Sequence, residues 1–266
     1  MNVPPSNEEL PTSQPSPFND LMFVAVWLNL PQVTLGQFAH EVEQFLAALL
    51  GLHPAFGGLH LVGDSKKDSP KLATDLSNLQ EWVLRKTWNK DAPSNARYSN
   101  QRRDGSLTPL SRGDLGFDLY LSNLKAAPER LKVVIANGAP ERGGLQITIP
   151  DPLTHELTRT EFLIRLIELT RSIWPIRYAE LYSLNWDDLV NSASSKQNVL
   201  PIGGINFNSD ETLVNALPAG TSWQTLPSGG VLFTVTPRPD QLDPEAIAKA
   251  VAIRVALDGQ GMLAVR

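Results

Sequence analysis

Apolar and polar residues follow several distinct rhythms along the chain. Over Thr34–Ser69 (TLGQFAHEVEQFLAALLGLHPAFGGLHLVGDSKKDS), Leu35, Phe38, Ala39, Val42, Phe45, Leu46 and Leu49 fall on one face of a helix of period 3.6. Thr34 and Gln37 have the spacing of a capping box at its start. Pro54 ends it, because a proline drives the residue before it out of helical conformation. Leu59, Leu61 and Val62 then predict a strand closed by Gly63-Asp64. Leu21–Leu30 (LMFVAVWLNL) is apolar at odd and even positions alike, the pattern of a central strand covered on both sides. Asp114–Leu121 alternates instead, with Leu115, Phe117, Leu119 and Leu121 on one side and Asp114, Gly116, Asp118 and Tyr120 on the other. That pattern predicts a half-exposed antiparallel strand.

Further along, Leu72–Trp88 predicts a second helix through Leu76, Leu79, Trp82 and Val83. Lys90–Arg112 is polar and predicts a long loop. Leu131–Ala136 and Leu145–Ile149 flank the turn-forming NGAPERGG and predict a hairpin. The second half then repeats the grammar of the first. Thr158 and Glu161 have capping-box spacing before Phe162, a helix runs to Ile173, Trp174-Pro175 ends it, and Ala179–Leu184 predicts the matching strand. Two strand–helix–strand halves, 20–125 and 130–266, would follow from an internal duplication; chance recurrence of caps and prolines is the alternative. Asn185–Asn191 and Glu211–Leu217 predict short helices around a turn at Gly203-Gly204, and Ser222–Val235 a hairpin turning at Ser228-Gly229-Gly230. Pro244–Leu257 predicts a last helix with Ile247, Val251 and Val255 on one face. The class expected is α+β, with mixed, largely antiparallel sheets and packed helices.

Composition narrows the function classes. The 266 residues include no cysteine, which excludes disulfides, thiolate metal sites and a cysteine nucleophile. No run of 18 apolar residues is present, so no membrane span is expected. Residues 1–19 are rich in Pro and Ser and lack the basic start and apolar centre of a signal peptide. They read as a disordered or loosely docked tail before a single domain, 20–266, and the expected address is the cytoplasm. Net charge is −5. Residues 1–149 carry 14 basic and 15 acidic side chains, and residues 150–266 carry 9 and 13. The acidic excess therefore sits in the second half. It argues against direct nucleic-acid binding, which needs Lys and Arg against phosphate, and it suits a basic protein partner.

No complete catalytic pattern is found. His40-Glu41 opens like the zinc-protease H-E-x-x-H, but Gln44 stands where the second histidine must lie. His155-Glu156 fails in the same way at Arg159. Both pairs are expected to be solvated or capping residues. Ser65-Lys66 reads as a capping serine beside a solvated lysine rather than a dyad. Arg85, Lys86, Lys90, Arg97, Arg102 and Arg103, with Trp88 and Tyr98 among them, form one basic–aromatic region of the kind that binds single strands. Asp91 and Asp104 interrupt it, and a solvated loop is expected. Asp187, Asp188, Asp210 and Glu211 are the acidic pairs of the second half. Each pair falls in the first turn of a predicted short helix, where carboxylates suit the dipole. They are also the candidate partner-binding residues, placed to face a basic cleft.

Leu52-His53-Pro54-Ala55-Phe56 and Leu59-His60-Leu61-Val62-Gly63-Asp64-Ser65-Lys66-Lys67 resemble the signature of immunity protein family fifty-two of bacterial polymorphic toxin systems. The similarity runs from Phe23 to the C-terminus. It implies a cytoplasmic protein that binds and neutralises a cognate toxin made by the same bacterium. It further implies a toxin that looks like a nuclease of the restriction-endonuclease fold, often delivered by a type VI secretion system. On this reading the chain has no reaction of its own; no metal or cofactor is expected, and Leu52–Lys67 is expected to be chiefly scaffold that holds the first helix against the sheet. The alternatives are a hydrolase whose site gathers His53, His60 and Asp64, and a structural or chaperone component of a secretion apparatus.

Overall fold

A computed structural model describes residues 20–28, 33–86, 88–89, 117–137, 142–191 and 200–263. The tail 1–19 and the polar loop 90–112 lie outside the described residues, as do the side chains of the basic–aromatic region from Arg85 to Arg103. The α+β expectation holds. Ten described strands join one sheet, and every described pair is antiparallel. In chain order they are β1 (Leu21–Leu28), β2 (His60–Leu61), β3 (Trp88–Asn89), β4 (Phe117–Ser122), β5 (Lys132–Asn137), β6 (Arg142–Ile149), β7 (Ile176–Ser183), β8 (Ile205–Asn208), β9 (Ser222–Thr225) and β10 (Val231–Thr234). Their order across the sheet is β2-β4-β5-β6-β1-β7-β8-β10-β9, with β3 also on β4.

β1 lies centrally, as its apolar run predicts, between β6 and β7. One of its sides is fully buried through Leu21, Phe23, Ala25 and Trp27. The other is less closed than expected: Val24, Val26 and Leu28 are half-buried. The reason is where the helices lie. Among the described residues, α1 (Leu35–Leu52), α2 (Leu79–Lys86) and α4 (Thr160–Arg171) share the core beneath β1, while α5 (Leu184–Asn191) and α6 (Pro244–Gly259) share the core over β7 and β10.

Helix α1 starts as its sequence states. The Thr34 hydroxyl accepts from the Gln37 N–H and the Gln37 side chain accepts from the Thr34 N–H, at 3.2 and 2.8 Å. All seven predicted inward residues are buried. His53 ends the helix, and Pro54 opens a short 3-10 turn capped by the His53 ring.

Three local expectations fail for local reasons. The helix foreseen from Leu72 begins only at Leu79, because Asp75, Ser77 and Asn78 build a turn first. Asn78 accepts from the Ala73 N–H and donates to the Lys71 carbonyl, and Leu76 sits at φ 57°. The second capping box does not form. A short α3 (Thr154–Leu157) intervenes, the Thr158 hydroxyl donates back to the Thr154 carbonyl at 2.8 Å, and Arg159 caps α4 without a side-chain bond. In α6, Ala246, Ala250, Ile253, Arg254 and Leu257 turn inward, while Ile247 and Val251 are half-buried and Val255 is 67% exposed. That helix spreads its apolar residues round its whole circumference and puts Arg254 on the buried side, so periodicity could not say which face goes in.

Candidate protein-binding face

The second core is built on the side chains that β7 and β10 turn away from β1's buried face. Tyr178, Tyr182 and Phe233 pack with Trp186 and Val190 of α5, with Leu213 and Ala216 of the 3-10 segment Glu211–Ala216, and with Ala250, Ile253 and Leu257 of α6. The Trp186 indole donates to the Ile202 carbonyl at 2.9 Å and fixes α5 against the 200–203 segment. Asp243 caps α6 by accepting from the Ala246 N–H.

Polar groups are enclosed in this layer. Glu180 of β7 is 5% exposed, and its Oε2 has no hydrogen-bond partner among the described residues. Burial pushes its carboxyl well above the ordinary carboxylate range; Asp187 adds to the rise and Arg254 opposes it. Burial also raises Tyr182 to about 12, with Glu180 and Asp187 contributing. Arg254, 7% exposed, donates to the Asn191 side-chain oxygen, and the Asn191 amide donates to Asp187 at 2.7 Å. Burial lowers Arg254 from its usual value, against the pull of Asp258, Asp187 and Glu180. Arg254 and Glu180 thus sit between sheet and helices, with half-buried Asp187 at their edge.

The helices of this layer also carry exposed apolar residues. Leu184 and Leu189 of α5 are 44% and 50% exposed, and Val255 of α6 is 67% exposed. Ala248 and Ala252 are exposed as well. Carboxylates lie on the same elements: Asp187 and Asp188 on α5, Asp243, Glu245 and Asp258 at the ends of α6, and Asp210 and Glu211 at the start of the 3-10 segment that contacts α6, with Lys249 among them on α6. The four acids singled out from the sequence therefore lie on two elements that both contact α6. Two of them also hold local structure. Asp210 accepts from the Thr212 N–H and hydroxyl, at 3.0 and 2.7 Å, which holds its carboxyl below the usual range. Glu211 accepts from the Gly230 N–H at 2.9 Å and closes the turn where Gly229 and Gly230 take φ 87° and 79°.

Other candidate residues find separate partners. His53 Nε2 meets Glu156 Oε2 at 2.6 Å, and its Nδ1 accepts from the Ala55 N–H at 3.2 Å. With both ring nitrogens engaged, His53 has no lone pair to offer a substrate. The pair ties the end of α1 to α3 beside an open groove of about 570 Å³ lined also by Arg159, Phe162 and Arg165. The His53 bond holds Glu156 below the usual carboxylate range. His60 instead bonds the Ser69 carbonyl through Nδ1 at 3.1 Å. Ser65 caps a 3-10 turn, as expected, and donates to Asp68 rather than to Lys66. Exposed His40 pairs with Gln44 at 2.9 Å. Glu41 is not solvated as foreseen: it turns inward and accepts from Trp174 Nε1 at 2.9 Å and from Asn137. Among the described residues, no group of three or more His, Asp or Glu could hold a metal ion, and no helix is long and apolar enough to cross a membrane.

No family model matches the chain, and no curated protein matches it. Among solved structures, the Pseudomonas aeruginosa T6SS protein PA0821 aligns over 93% of this chain and 84% of its own, at 12% identity and a TM-score of 0.43.

Proposed function

We propose that this chain is an immunity protein that binds and neutralises a cognate nuclease-type toxin, using the outer face of α5 and α6. The observation that carries this reading is the exposure of Leu184 and Leu189 on α5 and of Val255 on α6, two helices in contact that also carry several carboxylates. Exposed apolar side chains among charged ones are the composition of a protein-binding surface. A nuclease needs a basic cleft to hold phosphate, and carboxylates among exposed apolar residues match such a cleft in charge. The immunity family, the nuclease class of toxin and its type VI delivery rest on the resemblance of Leu52–Lys67. Neutralisation is by binding alone, with no reaction and no cofactor.

A cell that makes such a toxin must leave almost none of it free. Nanomolar affinity corresponds to roughly −12 kcal/mol. The test is co-expression with the toxin encoded beside this gene in a sensitive host, followed by co-purification. Protection and a stable complex are expected. Protection should be lost with Leu189→Glu and Val255→Glu together while the melting temperature holds. If no neighbouring toxin is neutralised, the immunity reading fails. If protection survives the double substitution, the toxin docks elsewhere.

A further inference from the structure

The two edges of the sheet are finished differently. At one edge, β4 is covered by β3 at Phe117 and Asp118 and by β2 at Leu121 and Ser122. The outer side of β2 is occupied in turn: the Leu61 N–H donates to the Pro70 carbonyl, the Leu72 N–H donates to the Leu59 carbonyl, each at 2.9 Å, and His60 bridges Lys71. At the other edge β9 ends the sheet as Ser222-Trp223-Gln224-Thr225. All four residues are exposed, Trp223 by 50%.

The phase of the ladder states which groups face outward. The Leu226 N–H donates to the Gly230 carbonyl at 3.0 Å, so that pair is of the hydrogen-bonded kind. Antiparallel pairs alternate between bonded and non-bonded. Gln224 with Leu232, and Ser222 with Thr234, are then the bonded pairs of β9 and β10. The Val235 N–H, donating to the Gly204 carbonyl at 2.8 Å, sets the same phase on the β8 side of β10. The N–H and C=O groups of Trp223 and Thr225 therefore point away from β10. Among the described residues nothing bonds them. The strand carries no charge and no proline, the usual guards of an open edge.

We propose that β9 pairs with β9 of a second copy of this chain, antiparallel across a twofold axis, so that one sheet runs through a homodimer. The register follows from the phase. The outward groups of Trp223 meet those of Thr225 in the second copy, and the reverse, which makes four hydrogen bonds. Gln224 then lies opposite its own symmetry mate, and no like charges face one another. Trp223 beside Thr225 is an aromatic–β-branched pair, a favourable cross-strand neighbour. A four-residue strand buries less than the roughly 1,200 Å² of a stable interface, so the dimer is reversible and depends on concentration. The pairing involves a sheet edge, apart from the α5–α6 face.

Sedimentation velocity of the full chain over a concentration series tests this. A monomer–dimer equilibrium is expected. Gln224→Lys sets two ammonium groups opposite each other and should raise the dissociation constant about tenfold or more; Gln224→Glu should do the same. Mixing the two variants should restore association as a heterodimer. Thr225→Pro removes an outward N–H without touching the ladder to β10, and should abolish the dimer with the melting temperature kept. A monomer at every concentration overturns the proposal. So does a dimer indifferent to Gln224→Lys, or a mixture of the two charge variants that stays monomeric.

Discussion

The two faces of the sheet divide the work of the molecule. Under α1 and α4 the core is continuous and aromatic. Trp27 and Trp174 stack at 4.7 Å with planes 3° apart, and Phe45 lies 5.2 Å from Trp174. The buried polar groups of this core are satisfied: Asn137 takes the Trp27 N–H at 3.0 Å, Glu41 takes that of Trp174, and the Thr170 hydroxyl donates to the Leu166 carbonyl. Under α5 and α6 the core is smaller and encloses Glu180 and Arg254, while Leu184, Leu189 and Val255 face outward. One face directs its apolar residues inward, which is what stability requires. The other keeps part of its apolar surface outside and part of its charge inside. That distribution costs stability, and it is the distribution expected where a surface is shaped for something beyond folding.

The comparison breaks first on the aromatic face. Phe45 is fully buried, and truncating such a residue to alanine costs about 3–5 kcal/mol. Against a typical stability of about 5–15 kcal/mol, Phe45→Ala should lower the melting temperature steeply, as read by calorimetry. Gly143 gives the next largest effect. A Cβ built there would lie 2.0 Å from the Trp27 indole nitrogen, so the Trp27–Trp174 stack leaves no room for a methyl group. Gly143→Ala should cost about 1–3 kcal/mol by overpacking, visible as a shifted urea midpoint and altered tryptophan fluorescence.

On the other face the expected change has the opposite sign. The folded Glu180 carboxyl titrates well above 4.5, while the unfolded one titrates in the ordinary range. Between those two values the folded state binds the proton more tightly, so stability falls as pH rises through the window and the loss is complete above the folded pKa. Glu180→Gln keeps the shape and removes the titration. The variant should be the more stable protein on the alkaline side of the window, and the two curves should draw together on the acid side. Urea unfolding at a series of pH values checks this. Parallel curves would mean that Glu180 is ionised at no cost where it stands.

The aromatic face was the more legible one, although the late start of α2 and the missing capping box of α4 both lie on it. A strong period of 3.6 with a capping box places α1 to the residue, and the apolar run of β1 places it at the centre of the sheet. The other face was legible only in part. α6 has apolar residues on every side, and the face marked by Ile247, Val251 and Val255 is not the one that turns in. β8, Ile205–Asn208, escaped because its burial pattern is unbroken over two apolar and two Asn residues, and those asparagines bond locally: Asn206 joins both backbone groups of Gly203. Glu180 gave no signal at all, since an acid in a strand ordinarily faces water. Its burial follows from α5 and α6 folding over β7, a tertiary fact that no local pattern contains. The acids Asp187, Asp188, Asp210 and Glu211 were visible as helix-start residues, but only the fold brings both of their elements against α6.

The smallest expected effect on stability belongs to those acids, and it sharpens the comparison most. Asp188 is exposed on α5, beside Leu189, and substitution at such a site usually moves stability by less than about 0.5 kcal/mol. Asp188→Lys should therefore leave the melting temperature in place while slowing association with a basic partner, and the slowing should fade as salt screens the charges. Asp210→Lys should slow association too, but it also removes the cap on the Thr212 N–H, at about 1 kcal/mol. Asp210→Asn separates the two contributions, because it keeps a capping oxygen and loses the charge. Stopped-flow association at low and high salt reads the rates, and thermal melts read the caps. If Asp188→Lys and Asp210→Asn both leave the low-salt rate unchanged, these acids serve only the helices they begin, and the outer face of α5 and α6 does not meet its partner through charge.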